Sequence, residues 1–218
     1  MLRKFVIAAG AAIGFLSIAP TASAALITLD DVTLPGDPIT IVNGVNDGDA
    51  NFGAPPVNEG VDKAIDNTTT KYLNFLDLGS GFTVTPSRGP SVINGIRLYS
   101  ANDAAERDPG SFWVEGATSP TGPFTLIAAS NVTLGGRNAP NIQIEPTGAN
   151  TLNSVTYMFA NQAQYTSYRV TFPTLANSQT ASSMQIGEVE LLGTIIPEPA
   201  SLGLLGLGAI GLLRRRRA

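Results

Sequence analysis

Nine short runs rich in β-branched and aromatic residues recur along the middle of this chain, and turn residues cut each of them short. The runs are Ile39–Val42, Tyr72–Leu78, Phe82–Thr85, Val92–Tyr99, Phe112–Glu115, Phe124–Ala128, Val155–Phe159, Tyr168–Phe172 and Met184–Leu192. Ser87-Arg88-Gly89-Pro90, Asp108-Pro109-Gly110, Ser119 to Pro123 and Gly135-Gly136 punctuate them. Strands this short bury a face only by stacking on other strands, and no segment between them carries a sustained helical period. The pattern predicts an all-β chain, an antiparallel jelly-roll β-sandwich. Within Asn94–Tyr99, alternation puts Ile96 and Leu98 on one face and Arg97 and Tyr99 on the other. Within Gln185–Leu191 it groups Ile186 with Glu188 and Glu190, against Gly187, Val189 and Leu191. Trp113, inside a strand, is expected in the core.

Both ends of the chain depart from this pattern. Arg3 and Lys4 precede an apolar stretch from Phe5 to Ile18, and Ala22-Ser23-Ala24 follows. That order reads as a signal peptide helix over residues 1–24, handled by the Sec machinery and cleaved after Ala24. At the other end, Pro197-Glu198-Pro199 precedes an uncharged stretch from Ala200 to Leu213, then Arg214, Arg215, Arg216 and Arg217. Fourteen helical residues rise about 21 Å, short of a bilayer core of roughly 30 Å. Snorkelling arginines recover some of that length, and they belong on the cytoplasmic side. The stretch therefore reads as a single apolar helix that inserts in the inner membrane transiently. It resembles the PEP-CTERM sorting signal. The resemblance implies processing by an exosortase near Pro197, Glu198 and Pro199 in a Gram-negative host that makes extracellular polysaccharide. It also implies a body released or attached at the cell surface or in the matrix.

Removing the ends changes the molecule. Residues 25–196 keep 7 of the 13 basic residues and 16 of the 17 acidic ones, a formal net charge of −9. Such a body repels nucleic acid, which is bound mainly through its phosphates. There is no cysteine and no histidine. An exported domain without disulfides depends on packing or on a metal, and Ser-His-Asp, Cys-His and histidine-based zinc or copper chemistry are excluded. The expectation is a non-catalytic protein, with a carboxylate-dependent hydrolase as the remote alternative. The chain divides into residues 1–24, a loosely specified extension with first strands over 25–58, a sandwich over 59–194, and the sorting segment over 195–218.

Four blocks carry a second resemblance. Gly60 to Tyr72 (GVDKAIDNTTTKY), Phe112 to Ile127, Tyr168 to Phe172 and Ile186 to Leu191 resemble, in order and spacing, the discoidin-type (F5/8 type C, galactose-binding-like) domains. That family often holds a structural Ca²⁺. The resemblance implies Asp66 and Glu188 as side-chain ligands, with carbonyls of Lys63 or Ala64, Thr68 and Thr70. Oxygen donors of these kinds suit a hard cation, and an Asx-turn capping its own loop is the alternative use of the same residues. A second acidic stretch, Asn46 to Asn51, is similar to the first half of a calcium loop but lacks its closing glutamate, which favours a solvated Asp-Gly turn.

The polar loop Ser100–Pro109 joins two strands, a common place for binding residues. Asn102, Asp103, Glu106 and Arg107 offer donors and acceptors of the kind that read sugar hydroxyls, with Tyr99 or Trp113 as an apolar face for a ring. The alternative is local: Arg107 pairs with Asp103 or Asp108 and orders its own loop. Two functions follow. One is a module that binds extracellular polysaccharide without catalysis; the other is a structural or adhesive matrix component with no defined small ligand.

Overall fold

The computed structural model describes residues 29–42, 56–76, 78–144 and 151–196. The signal segment ending at Ala24, the Asn46–Asn51 stretch, and Pro197, Glu198, Pro199 and Arg214 to Arg217 lie outside the described residues, as does the apolar stretch between them. Among the described residues no helix is long and apolar enough to cross a membrane.

The described chain is an all-β antiparallel sandwich. Its strands are β1 (Asp30–Asp31), β2 (Ile39–Val42), β3 (Tyr72–Asn74), β4 (Ser80–Val84), β5 (Ser91–Tyr99), β6 (Ser111–Ala117), β7 (Thr125–Asn131), β8 (Ser154–Met158), β9 (Ser167–Phe172), β10 (Met184–Ile186) and β11 (Glu188–Ile195). One sheet runs β1-β11-β5-β8, the other β2-β4-β9-β6-β7, and a two-stranded ribbon pairs β10 with β3. One core joins both sheets. Ile96, Leu98, Val189 and Leu191 from the first pack in the same cluster as Phe82, Val84, Phe112, Val114, Val170 and Phe172 from the second. Period-two alternation does this, because the neighbours of each of these residues along its strand point to the opposite face of its sheet.

Most runs fall where expected, and four departures have local causes. Tyr72–Leu78 is a strand only to Asn74, whose Oδ1 accepts the Leu76 N–H at 2.9 Å and turns the chain. Met184–Leu192 is two strands. At Gly187 the chain leaves the ribbon for the first sheet, so Ile186 faces the core with Val189 and Leu191 and does not share a face with Glu188 and Glu190. A Cβ on Gly187 would lie 2.6 Å from the Ser100 carbonyl oxygen, so only glycine admits this crossing. Two aspartates make β1, which no propensity favours. The pairing holds because Val32 is fully buried and donates its N–H to the Leu191 carbonyl at 2.8 Å, while Asp31 Oδ1 accepts the Leu191 N–H at 3.0 Å.

Trp113 corrects the fourth expectation. Phe112 and Val114 take the inward positions of β6, so Trp113 points out and is 49% exposed. Tyr99, offered as the other ring platform, is buried, and its hydroxyl lies 3.3 Å from Glu190 Oε2.

Candidate functional site

The loop before β3 organises itself. Asp66 Oδ1 accepts the Thr68 N–H at 2.9 Å and lies 2.7 Å from its hydroxyl, an Asx-turn. Asn67 takes φ 57°, a left-handed value that asparagine tolerates well. The segment after Arg137 straps this loop down. Thr69 donates its N–H to the Ile142 carbonyl, Ile144 donates to the Asn67 carbonyl, both at 2.9 Å, and the Thr70 hydroxyl donates to Asn141 Oδ1 at 2.8 Å.

Below the loop sits the closing-strand glutamate. Glu188 Oε2 accepts the Asp66 N–H at 3.1 Å, while its Oε1 is buried without a partner. Burial pushes the Glu188 carboxyl well above its ordinary range, and the nearby charges of Asp31 and Asp66 add to the shift. The two halves of the expected cation set, Asp66 with Thr68 and Thr70, and Glu188, are therefore neighbours. Lys63 brings its ammonium 3.4 Å from Asp66 Oδ2 and 3.0 Å from Asp62 Oδ2, and the Asp62 contact raises its pKa. Among the described residues no three acidic side chains gather as a metal cluster. The donors present are two carboxylates and two hydroxyls, and the orphaned Glu188 oxygen fits an oxygen-ligated cation.

Above the loop lies an open cleft of about 630 Å³, within the roughly 300–1,000 Å³ of small-ligand sites. Its rim is polar: Thr68 and Thr70 on one side, Asn141 from the strap, Asn102 from the Ser100–Pro109 loop, and Glu59 with Lys71 in the middle. Lys71 is 8% exposed. Its Nζ sits 2.9 and 2.8 Å from the two carboxylate oxygens of Asp103 and 3.7 Å from Glu59 Oε1. An ammonium held this way keeps a fixed position.

The four loop residues separate. Asn102 lines the cleft, and Asp103 borders it through Lys71. Glu106 and Arg107 form a 3-10 turn over Ala105–Arg107 and line none of it. Arg107 Nη2 reaches the Ser182 hydroxyl at 3.2 Å. Neither local pairing of Arg107 occurs: Asp103 takes Lys71, and Asp108 is gripped by both Nη atoms of Arg137. Lys71, Glu59 and Asn141 were not singled out by the sequence. Lys71 carried one signal, a charged residue directly before a strand with no polar face. Asn141 carried none, because its segment has no periodicity.

Comparison with known proteins separates the two parts of the chain. Residues 196–217 match the PEP-CTERM protein-sorting motif. This chain carries a PEP-CTERM sorting signal. The signal marks an exported, sorted protein. No curated protein matches the chain in sequence. The body of the chain has solved structural relatives. One is a chitosan-binding module derived from a chitosanase/glucanase of Paenibacillus sp. IK-5, with TM-score 0.50 and 11% identity over 76% of this chain and 99% of that one. Another is the family 32 CBM of C. perfringens NanJ, solved with galactose, with TM-score 0.50 and 12% identity over 77% and 98%. A third is a fucolectin from striped bass (Morone saxatilis) serum, with TM-score 0.50 and 13% identity over 78% of this chain and 51% of that one. At these identities the likeness is one of fold: a discoidin-like sandwich of the kind carbohydrate-binding modules use.

Proposed function

We propose that this is an exosortase-processed surface or matrix protein of a Gram-negative cell, and that its sandwich binds extracellular glycan at the Lys71 cleft without catalysis. One observation carries the reading. Lys71 is fixed between Asp103 and Glu59 in an open cleft whose lining adds the amides of Asn58, Asn102 and Asn141, the hydroxyls of Thr68 and Thr70, and the Lys63–Asp66 pair, a set of donors and acceptors suited to several sugar hydroxyls. The likeness to lectins and carbohydrate-binding modules and the sorting motif support it. Affinity electrophoresis in gels containing the host's exopolysaccharide tests it. Retarded migration of the wild-type protein is expected, with Lys71→Ala or Asn102→Ala reducing retardation at least tenfold. Unretarded wild type, or variants that migrate as wild type does, contradicts it.

Calcium belongs to the same proposal. Asp66, Thr68, Thr70 and Glu188, with the Lys63 backbone, would hold Ca²⁺, which would satisfy the orphaned Glu188 oxygen and neutralise its charge. In a chain without cysteine the ion would tie the first loop to the last strand. Chelation is expected to lower the Tm by several degrees and to leave Glu188→Gln unchanged. An equal Tm with and without chelator contradicts it.

A structural matrix role is the second reading. The cleft rim carries no aromatic ring, and Glu106 and Arg107 are turned away from it. Unchanged biofilm texture in a strain lacking the protein counts against this role.

A further inference from the structure

The Lys71 cleft lies at the loops around β3, and the outward face of the five-stranded sheet stands apart from it. Alternation fixes which residues stand there. Trp113 faces Thr171 across β9 and Ala129 across β7, and Glu115 faces Arg169. Beyond Thr171 comes Gly81, where a Cβ would lie 2.0 Å from the Val170 carbonyl oxygen, so that position stays bare. Its cross-strand neighbours, Thr171 and Ala129, are small, and the indole of Trp113 is half exposed.

We propose that this face is a second glycan-binding surface, where the Trp113 indole stacks on the apolar face of a neutral pyranose ring and the Arg169–Glu115 pair meets its hydroxyls.

Three features support that occupant. Arg169 is held rigidly: its Nε and Nη2 donate to the two Glu115 oxygens at 2.6 and 2.8 Å, and its guanidinium lies 4.4 Å from the centre of the Phe124 ring. The remaining Nη1 makes no hydrogen bond among the described residues and is free to donate to a ligand. Spacing is the second feature. Residues two apart on a strand are separated by about 6.8 Å, and strands by about 4.8 Å, so Trp113 and Arg169 stand at opposite corners of a patch close in size to one sugar ring. Charge is the third. The body carries −9 overall, yet Glu115 and Arg169 cancel and their outward neighbours are uncharged. A neutral ring meets no repulsion here, whereas an anionic polymer is repelled by the body and an anionic bilayer finds no basic surplus. Two separate surfaces, one at the loops and one on the sheet, would let one molecule bridge two polysaccharide strands and gain from avidity.

Trp113 is the only tryptophan in the chain, so its fluorescence reports this surface alone. The full chain, held in a polyoxyethylene detergent without a sugar headgroup, is titrated with β-1,4-linked hexasaccharides of glucose, N-acetylglucosamine and galactose. A saturable blue shift with one of them is expected, unchanged in Lys71→Ala. By calorimetry the same sugar is expected to bind Trp113→Ala and Arg169→Lys at least tenfold more weakly, with Trp113→Tyr retaining part of the affinity as a check on folding. No shift with any of the three overturns the proposal. So does a shift lost in Lys71→Ala, wild-type affinity in Trp113→Ala, or a shift that depends on protein concentration alone, which would mark a second copy on this face. The two surfaces fail separately: loss in the Lys71 variant alone speaks to the cleft, and loss in the Trp113 variant alone to the sheet.

Discussion

Asp31 and Glu188 are carboxyl groups with oxygens that the fold withholds from water. Asp31 Oδ2 and Glu188 Oε1 are both buried without partners. Burial pushes Asp31 up from its ordinary value to about 7, with the charge of Glu190 adding to the effect against hydrogen bonds from Thr33 and Leu191. An acid whose folded pKa lies above its unfolded one keeps its proton longer when folded, so its charging costs stability as pH rises through that interval. For Asp31 the interval runs from 3.8 to about 7. Glu188, raised in the same direction, acts with the same sign. Stability in chelator is therefore expected to fall between pH 4 and pH 7. Asp31→Asn keeps the acceptor that binds Leu191 and Thr33 and removes the charge, so it should raise the Tm at pH 8 on the order of 5 °C and change it little at pH 4. A Tm that climbs steadily from pH 4 to pH 8 in wild type, or an Asp31→Asn Tm equal to wild type at pH 8, contradicts this. At this scale the sequence was legible in part. Asp66 and Glu188 could be named because their blocks resemble a family pattern. Lys71 could not, because its role comes from Asp103 and Glu59, which approach it from distant segments.

At the scale of elements, period-two alternation carried most of the information and failed where the chain changes sheet. Parity predicts the faces of β5 correctly from Asn94 to Tyr99, and fails across the irregularity before it, where Ile93 and Ile96 both reach the core. It misplaces Ile186, because Gly187 hands the chain from the ribbon to the first sheet and resets the count. Gly187→Ala is expected to destabilise by about 2 kcal/mol, the usual cost of overpacking, because Ser100 O and Tyr99 O close the space a methyl would need. Denaturant midpoints of the two proteins check it, and equal midpoints would mean that the backbone relaxes there. The placement of Trp113 shows the same limit from the other side. A large aromatic in a strand is most often inward, yet Phe112 and Val114 had already claimed the core positions of β6. Strand β1 was illegible because its two aspartates are held by the edge of β11 and by buried Val32, both tertiary causes.

At the scale of the molecule, the last described residue leads straight into the sorting signal. Ile196 donates its N–H to the Pro90 carbonyl at 2.8 Å, and the motif begins at that same residue. The body is thus folded up to the start of the sorting signal, and its acidic charge disfavours an anionic partner. The proposed role of this body is to bind extracellular glycan through the Lys71 cleft. Affinity electrophoresis of wild type and Lys71→Ala in gels of the host's own exopolysaccharide tests it most directly. Retardation of the wild type that falls at least tenfold in the variant is the predicted result. Equal migration of the two, with or without the polysaccharide, contradicts it.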